Sequence, residues 1–241
     1  DDVMGVIEIL SSRREYTKIN PFVVLLGRGD HQITSSWTDP RGYEVEFMLG
    51  ITHSNITFVG TGKDTTTIDG GFAICDQQNI TFKQMTVTNT YTTNDTIDLQ
   101  EGDGIVLRNA EAEIVDVAIK KCGGCALNCR DNSTSKSTIT ATRCEFSESD
   151  YGALLFSPES TFTFTNCTFH NNQYEGLYGN NSTIHLHGEA TAVHSNGQFG
   201  IYAEENRCRI IIHLPSHHNT SYNNGEDRKT RNGATITNVE D

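Results

Sequence analysis

The side chains in this 241-residue chain that could do chemistry are first of all imidazoles and thiols. His185 and His187 stand two positions apart, so a strand would place both on one face. His194, His213, His217 and His218 follow. Imidazoles at i and i+2 can ligate zinc or copper, but histidines on an exposed strand face are more often simply solvated, and no metal site is expected. Cys122, Cys125 and Cys129 lie close enough for two of them to be bridged across a turn. Zinc there would need a fourth ligand, which no second Cys-x-x-Cys supplies. Asp95, Asp98, Glu101 and Asp103 form an acidic group that could hold calcium. It lacks EF-hand spacing, so a solvated acidic loop is expected.

Composition narrows the class. Eighteen lysines and arginines face 31 aspartates and glutamates, a net charge of −13, and no dense basic stripe exists to follow a phosphate backbone. No apolar run approaches the roughly 20 residues of a membrane span. Asn-x-Ser/Thr triplets begin at Asn55, Asn79, Asn94, Asn132, Asn166, Asn180, Asn181 and Asn219. Chance would give about four, so glycosylation in the secretory pathway is one reading, with an extracellular or lumenal location. A Thr-rich strand repeat with Asn at its turns is the other. The opening Asp1–Leu10 lacks a basic n-region and a clean apolar core, so a signal peptide is not visible and the chain reads as processed or as a fragment.

The elements that must position these residues repeat. His170-Asn-Asn-Gln-Tyr-Glu-Gly-Leu-Tyr178 returns in altered form as His194-Ser-Asn-Gly-Gln-Phe-Gly-Ile-Tyr202. Gly104, Gly124, Gly152, Gly176 and Gly200 each open an apolar stretch, at nearly regular spacing. Such a period marks a solenoid whose units cannot bury an apolar face alone. Within each unit Thr161–Phe169, Ser137–Cys144 and Asn79–Val87 alternate with period two, as strands do. A β-solenoid follows. Seven or so coils at the strand spacing make a rod about 34 Å long. Interior ladders of Ile, Val, Leu and Phe would fill it, with Asn ladders satisfying turn backbone. Cys144 and Cys167 match in position and should stack on adjacent coils, where a buried thiol ladder and a bridge are both open. With seven cysteines at least one thiol is free or paired to another chain.

Asn55-Ile-Thr-Phe-Val-Gly-Thr-Gly62, Thr67-Ile-Asp-Gly-Gly71 and the preceding Val23–His31 resemble early coils of right-handed parallel β-helix proteins of the pectate-lyase-like superfamily. The stretch from His187 to Asp241 also resembles multicopy β-helix proteins of unicellular algae. The fold expected is all-β, a right-handed parallel β-helix of about seven coils in a single domain: residues 1–20 as an N-terminal cap with a short helix (Val3, Val6, Ile7 and Leu10 at helical spacing), 21–220 as coils, and 221–241 as a C-terminal loop and tail, within which Ser221–Arg231 reads as loop and Ala234–Val239 could return as a final strand. The resemblance implies polysaccharide chemistry. Inverting hydrolysis would need the polygalacturonase set, Asn-Thr-Asp, Asp-Asp, Gly-His-Gly and Arg-Ile-Lys, which this chain does not carry. A lyase or uronate C5-epimerase needs a base beside the sugar and a cation for its carboxylate. For that chemistry Arg143, Asp150, His170 and Tyr174 are the candidates. The leading expectation is non-catalytic: a structural or interaction subunit of a larger assembly, or a module binding polysaccharide, with Tyr151, Tyr174, Phe199 and Tyr202 near its turns.

Overall fold

The computed structural model describes residues 5–6, 9–10, 14–38, 42, 44–91, 102–132, 134–215 and 218–240. Period-two alternation does what it predicts: each coil is three short strands joined by corners. The first face stacks Phe22–Leu25, Ile56–Val59, Thr138–Thr142, Thr161–Thr165, Thr183–His187, Arg209–His213 and Thr235–Asn238. Ile80–Thr88 and Glu111–Lys120 run through a bend and serve the first and second faces together. The second face continues through Glu145–Ser147, Thr168–His170, Ala192–His194 and Ser221–Tyr222. Eight strands form the third face, from Met48–Ile51 to Glu226–Thr230, so the chain makes about seven turns. Pairing between coils is parallel and in register; the described exceptions are the hairpin of Trp37–Thr38 with Glu44–Val45 and a bridge at Thr17–Asn20.

Register converts the alternation into ladders. Ile56, Ile80, Ala112, Ile139, Phe162, Ile184, Ile210 and Ile236 succeed one another up the first face. Phe146 and Phe169 stack at 4.8 Å on the second. The interior is thus one continuous apolar column.

The corners carry the strain. Gln84, Asp116, Arg143 and Asn166 turn the chain from first to second face with φ of 57°, 54°, 54° and 55°. Lys121, Glu148, Asn171, Ser195 and Asn223 do so at the next corner. This left-handed conformation costs a non-glycine residue about 1–2 kcal/mol. Just inside the second corner a buried polar ladder offsets it. The Ser149 N–H donates to Asn172 Oδ1 (3.2 Å), Asn172 N–H to Asn196 Oδ1 (3.2 Å) and Asn196 N–H to Asn224 Oδ1 (3.0 Å). Asn172, Asn196 and Asn224 also donate from Nδ2 to the carbonyls of Phe146, Phe169 and Val193.

Several expectations need correction. Gly5, Val6, Ile9 and Leu10 are helical, yet Val6 and Ile9 are 53 % and 58 % exposed, so a helix capping the first coil is not shown; Val3 and Ile7 lie outside the described residues. The coils run beyond position 220. Glu226–Thr230 pairs its backbone with Phe199–Ala203 although four of its five side chains are charged. The cysteines are thiols, with no bridge at Cys122, Cys125 and Cys129 or between Cys144 and Cys167. Cys144 Sγ donates to the Ile114 carbonyl (3.3 Å) and Cys167 Sγ to that of Ala141 (3.5 Å), one coil back in each case, so the pair is a thiol ladder. Burial pushes Cys122 up to about 12.

Asp103 is not part of a solvated acidic loop; Asp95, Asp98 and Glu101 lie outside the described residues. It is fully buried, accepting from the Cys125 N–H and from Asn128 Nδ2, both at 2.6 Å. Burial raises its pKa to about 7, against those hydrogen bonds and the nearby Arg130.

Two outcomes follow. Asn196→Ala leaves the buried Asn172 N–H without its Oδ1 acceptor and removes a side-chain donor from the Phe169 carbonyl, and should cost about 1–3 kcal/mol in urea unfolding; an unchanged midpoint would show the ladder to be dispensable. The folded chain keeps the Asp103 proton up to pH about 7 while the unfolded chain releases it near 3.8. Its contribution is therefore full below pH 4 and lost as pH rises through 7. Asp103→Asn should shrink the fall in Tm between pH 5 and pH 8 relative to the parent chain.

Candidate functional site

The outer surface of the third face changes character along the rod. Over the early coils it is covered: the hairpin lays Trp37 against Gly50, above a small cluster of Val45, Met48, Ala73 and Val106. Beyond that cover, aromatic side chains take over. In the strands Tyr151–Phe156, Leu177–Asn180 and Phe199–Glu204, alternation sends Ala153, Leu155, Leu177, Ile201 and Ala203 to the core. Phe156, Tyr178 and Tyr202 therefore point away from the core, although Tyr202 is covered by its neighbours and only 5 % exposed. Tyr178 and Tyr202 are register partners with rings 4.5 Å apart, and Phe156 meets Tyr178 edge-on at 4.7 Å. Phe199 packs beside Tyr202 at 5.1 Å. At the corner leading into these strands Tyr151 and Tyr174 pack at 5.1 Å.

Carboxyl groups and cations frame the rings. Tyr178 donates its hydroxyl to Glu204. Arg130 sits 5.5 Å from the Phe156 ring, Lys229 5.9 Å from Phe199 and Arg231 5.9 Å from Tyr202. Burial raises Glu175 to about 6 and, with Glu175 beside it, Tyr151 to about 12. Burial and then Glu204 push the Tyr178 hydroxyl up. The phenols stay neutral donors, and the surface presents apolar ring faces edged by hydroxyl, carboxyl and guanidinium groups. That is the equipment for holding a polyhydroxylated ligand.

The four residues named for lyase or epimerase chemistry fall into three separate groups. Arg143 reaches back one coil and grips Asp116 with two hydrogen bonds of 2.7 Å, which hold the Asp116 carboxyl below its usual range. His170 projects from the second face, 3.3 Å from Glu145 Oε1, and stacks on His194 at 5.1 Å. The hydrogen bond from His170 lowers Glu145 to about 2. Asp150 and Tyr174 are joined through backbone, Tyr174 N–H to the Asp150 carbonyl at 2.9 Å, beside the aromatic surface. Sequence reasoning found Tyr151, Tyr174, Phe199 and Tyr202 of that surface and missed Phe156, Tyr178, Glu175 and Glu204. The signal was the repeat itself, since Tyr178 recurs as Tyr202 at the end of the matching segment.

The asparagines of the acceptor triplets divide similarly. Asn55, Asn79, Asn166 and Asn181 hold positive φ at corners, where the shape of a coil calls for asparagine. Asn132 and Asn219 are exposed, Asn180 is half-buried on the third face, and Asn94 lies outside the described residues.

Of the histidines, His185, His187 and His213 meet on the outer side of the first face. His187 and His213 are register partners with rings 4.0 Å apart, and His185 Nδ1 lies 2.8 Å from His213 Nε2. His194 belongs to the second-face stack, which continues to Tyr222. His218 Nε2 is 3.1 Å from the Glu189 carbonyl, and His217 lies outside the described residues.

No curated protein matches the chain in sequence. Among solved structures it is similar to ORF18 of Geobacillus virus E2, with 12 % identity and a TM-score of 0.45. That match covers 90 % of this chain and 52 % of the phage protein, so the chain spans about half its length. It is also similar to the A-module of the mannuronan C-5 epimerase AlgE4 of Azotobacter vinelandii, with 11 % identity, a TM-score of 0.43, and coverage of 99 % and 94 % of the two chains. Residues 103–240, more than half of the chain, match the family described as the right handed beta helix region. With its parallel three-faced coils, the chain belongs to the right-handed β-helix family.

Proposed function

We propose that the chain is a glycan-binding rod of an extracellular or lumenal surface, and that it holds a polysaccharide along the outer third face. The observation that carries this reading is the row of outward rings Phe156, Tyr178 and Tyr202 on successive coils, with Glu204 accepting the Tyr178 hydroxyl. One coil spacing approximates the length of one sugar ring, so a polysaccharide lying along the axis would pass the half-buried rings of Phe156 and Tyr178 on successive coils, with buried Tyr202 backing Tyr178. Half-buried Asp150 supplies an acceptor at the neighbouring corner, and Arg130 and Arg231 supply donors.

A second reading, assembly into a larger structure, is favoured by the first coil. There a mainly apolar cavity of about 280 Å³ is lined by Val24, Leu26, Ile33, Leu49, Phe58, Ile68 and Phe72 together with His31 and Gln32. An apolar lining of this kind gains by being covered by a partner.

The test is affinity electrophoresis in gels containing neutral glucan, mannan or uronate polymers. At least one polymer should retard the chain, and Tyr178→Ala with Tyr202→Ala should weaken that retardation at least about tenfold, two lost stacking contacts. Far-ultraviolet circular dichroism of the double variant checks that the coils persist. Absence of retardation by every polymer, or an undiminished effect in the folded double variant, would sink the glycan reading and leave the assembly reading.

A further inference from the structure

We propose that His185, His187 and His213 form a binding site for one divalent first-row metal ion of the zinc and copper class. One ring nitrogen from each can be chosen so that all three lie within 4.8 Å of one another. A tetrahedral ion at ordinary zinc–imidazole distances sets its nitrogen ligands about 3.3 Å apart. The 2.8 Å between His185 Nδ1 and His213 Nε2 lies below that separation and the 4.8 Å bound well above it, so the cluster brackets the spacing an ion requires. The rings stack at interplanar angles of 13°, 26° and 14°, so the imidazoles must turn about their side-chain bonds to aim three in-plane nitrogens at one ion, while the strands stay fixed.

The backbone holds the site before any ion arrives. His187 and His213 are Cα partners across two coils, and both coils are paired on their far sides, to Thr161–Thr165 and to Thr235–Asn238. The position is a departure from the repeat. The two preceding coils carry threonine there: Thr140 and Thr142, then Thr163 and Thr165. The change to histidine falls on both neighbouring coils and on the same face. All three imidazoles are half-buried, so an ion can enter from solvent. A set of imidazoles without carboxylate favours zinc, copper or nickel over calcium or magnesium. Three protein ligands leave a fourth position for water or for an oxygen of a bound molecule.

Zinc chloride titrated calorimetrically into the metal-stripped full chain tests this, with calcium chloride in a parallel titration. One zinc per chain should bind, calcium should not, and zinc should raise Tm. His187→Thr and His213→Thr restore the residue that the earlier coils use, so the strands keep their pairing, which circular dichroism verifies. Each should weaken zinc binding at least about tenfold and abolish the Tm rise. The double variant His170→Ala, His194→Ala removes the other histidine pair and should bind zinc as the parent does. The proposal is overturned if the parent binds no zinc, if both threonine variants bind it as tightly as the parent, or if binding disappears with His170 and His194.

Discussion

A chain that winds into stacked coils must turn repeatedly while much of its backbone at the corners is shut away from water. At the second corner of this rod the solution is the ladder Ser149, Asn172, Asn196 and Asn224, in which each asparagine oxygen accepts the N–H of the coil before it. The side-chain amide of each of the three asparagines donates to a carbonyl one coil back. An unpaired buried donor or acceptor costs about 1–3 kcal/mol. Everything else depends on this pairing, because it sets the register of one coil on the next. Register in turn decides whether Ile210 faces Ile184 inside and His213 faces His187 outside.

Once register is fixed, the three outer surfaces can differ without disturbing the core. The first face carries threonine rows that give way to histidine. The second carries Glu145, His170, His194 and Tyr222 as an outward stack. The third carries the aromatic row behind its Trp37 hairpin. Inward positions answer to packing, while outward ones are released from it, and chemistry collects on the outward rows. Arg143 illustrates the boundary between the two. It stands at a corner, and its guanidinium is engaged by Asp116 of the previous coil, so its charge serves the stack.

The fold was legible in the residues because local alternation and a recurring glycine-led segment survive any loop insertion. Core positions such as Phe162 and Phe164 could be read from alternation alone. What could not be read was which outward residues become neighbours. Thr161 pairs with Thr183, but Thr183 pairs with Arg209, a longer step along the chain. The extra residues lie in connections that leave no mark on the strands. His213 therefore meets His187 through a shift that no fixed period supplies. Asp103 was misread for a related reason: its neighbours are acidic in sequence, whereas its contacts, Cys125 and Asn128, belong to the following coil. The polar strand Glu226–Thr230 concealed itself by lacking the apolar alternation of the other strands.

Gly152, Gly176 and Gly200 recur at equal intervals in coils whose upper and lower surfaces offer the same ladders. A block of that length copied in tandem would find a native surface both above and below it. Its corner asparagine would enter the ladder at either junction, and its strands would continue all three sheets. The rod can thus lengthen or shorten by inheritance in whole coils, and the number of aromatic rings along its side is a quantity that gene duplication can adjust without redesigning the interior.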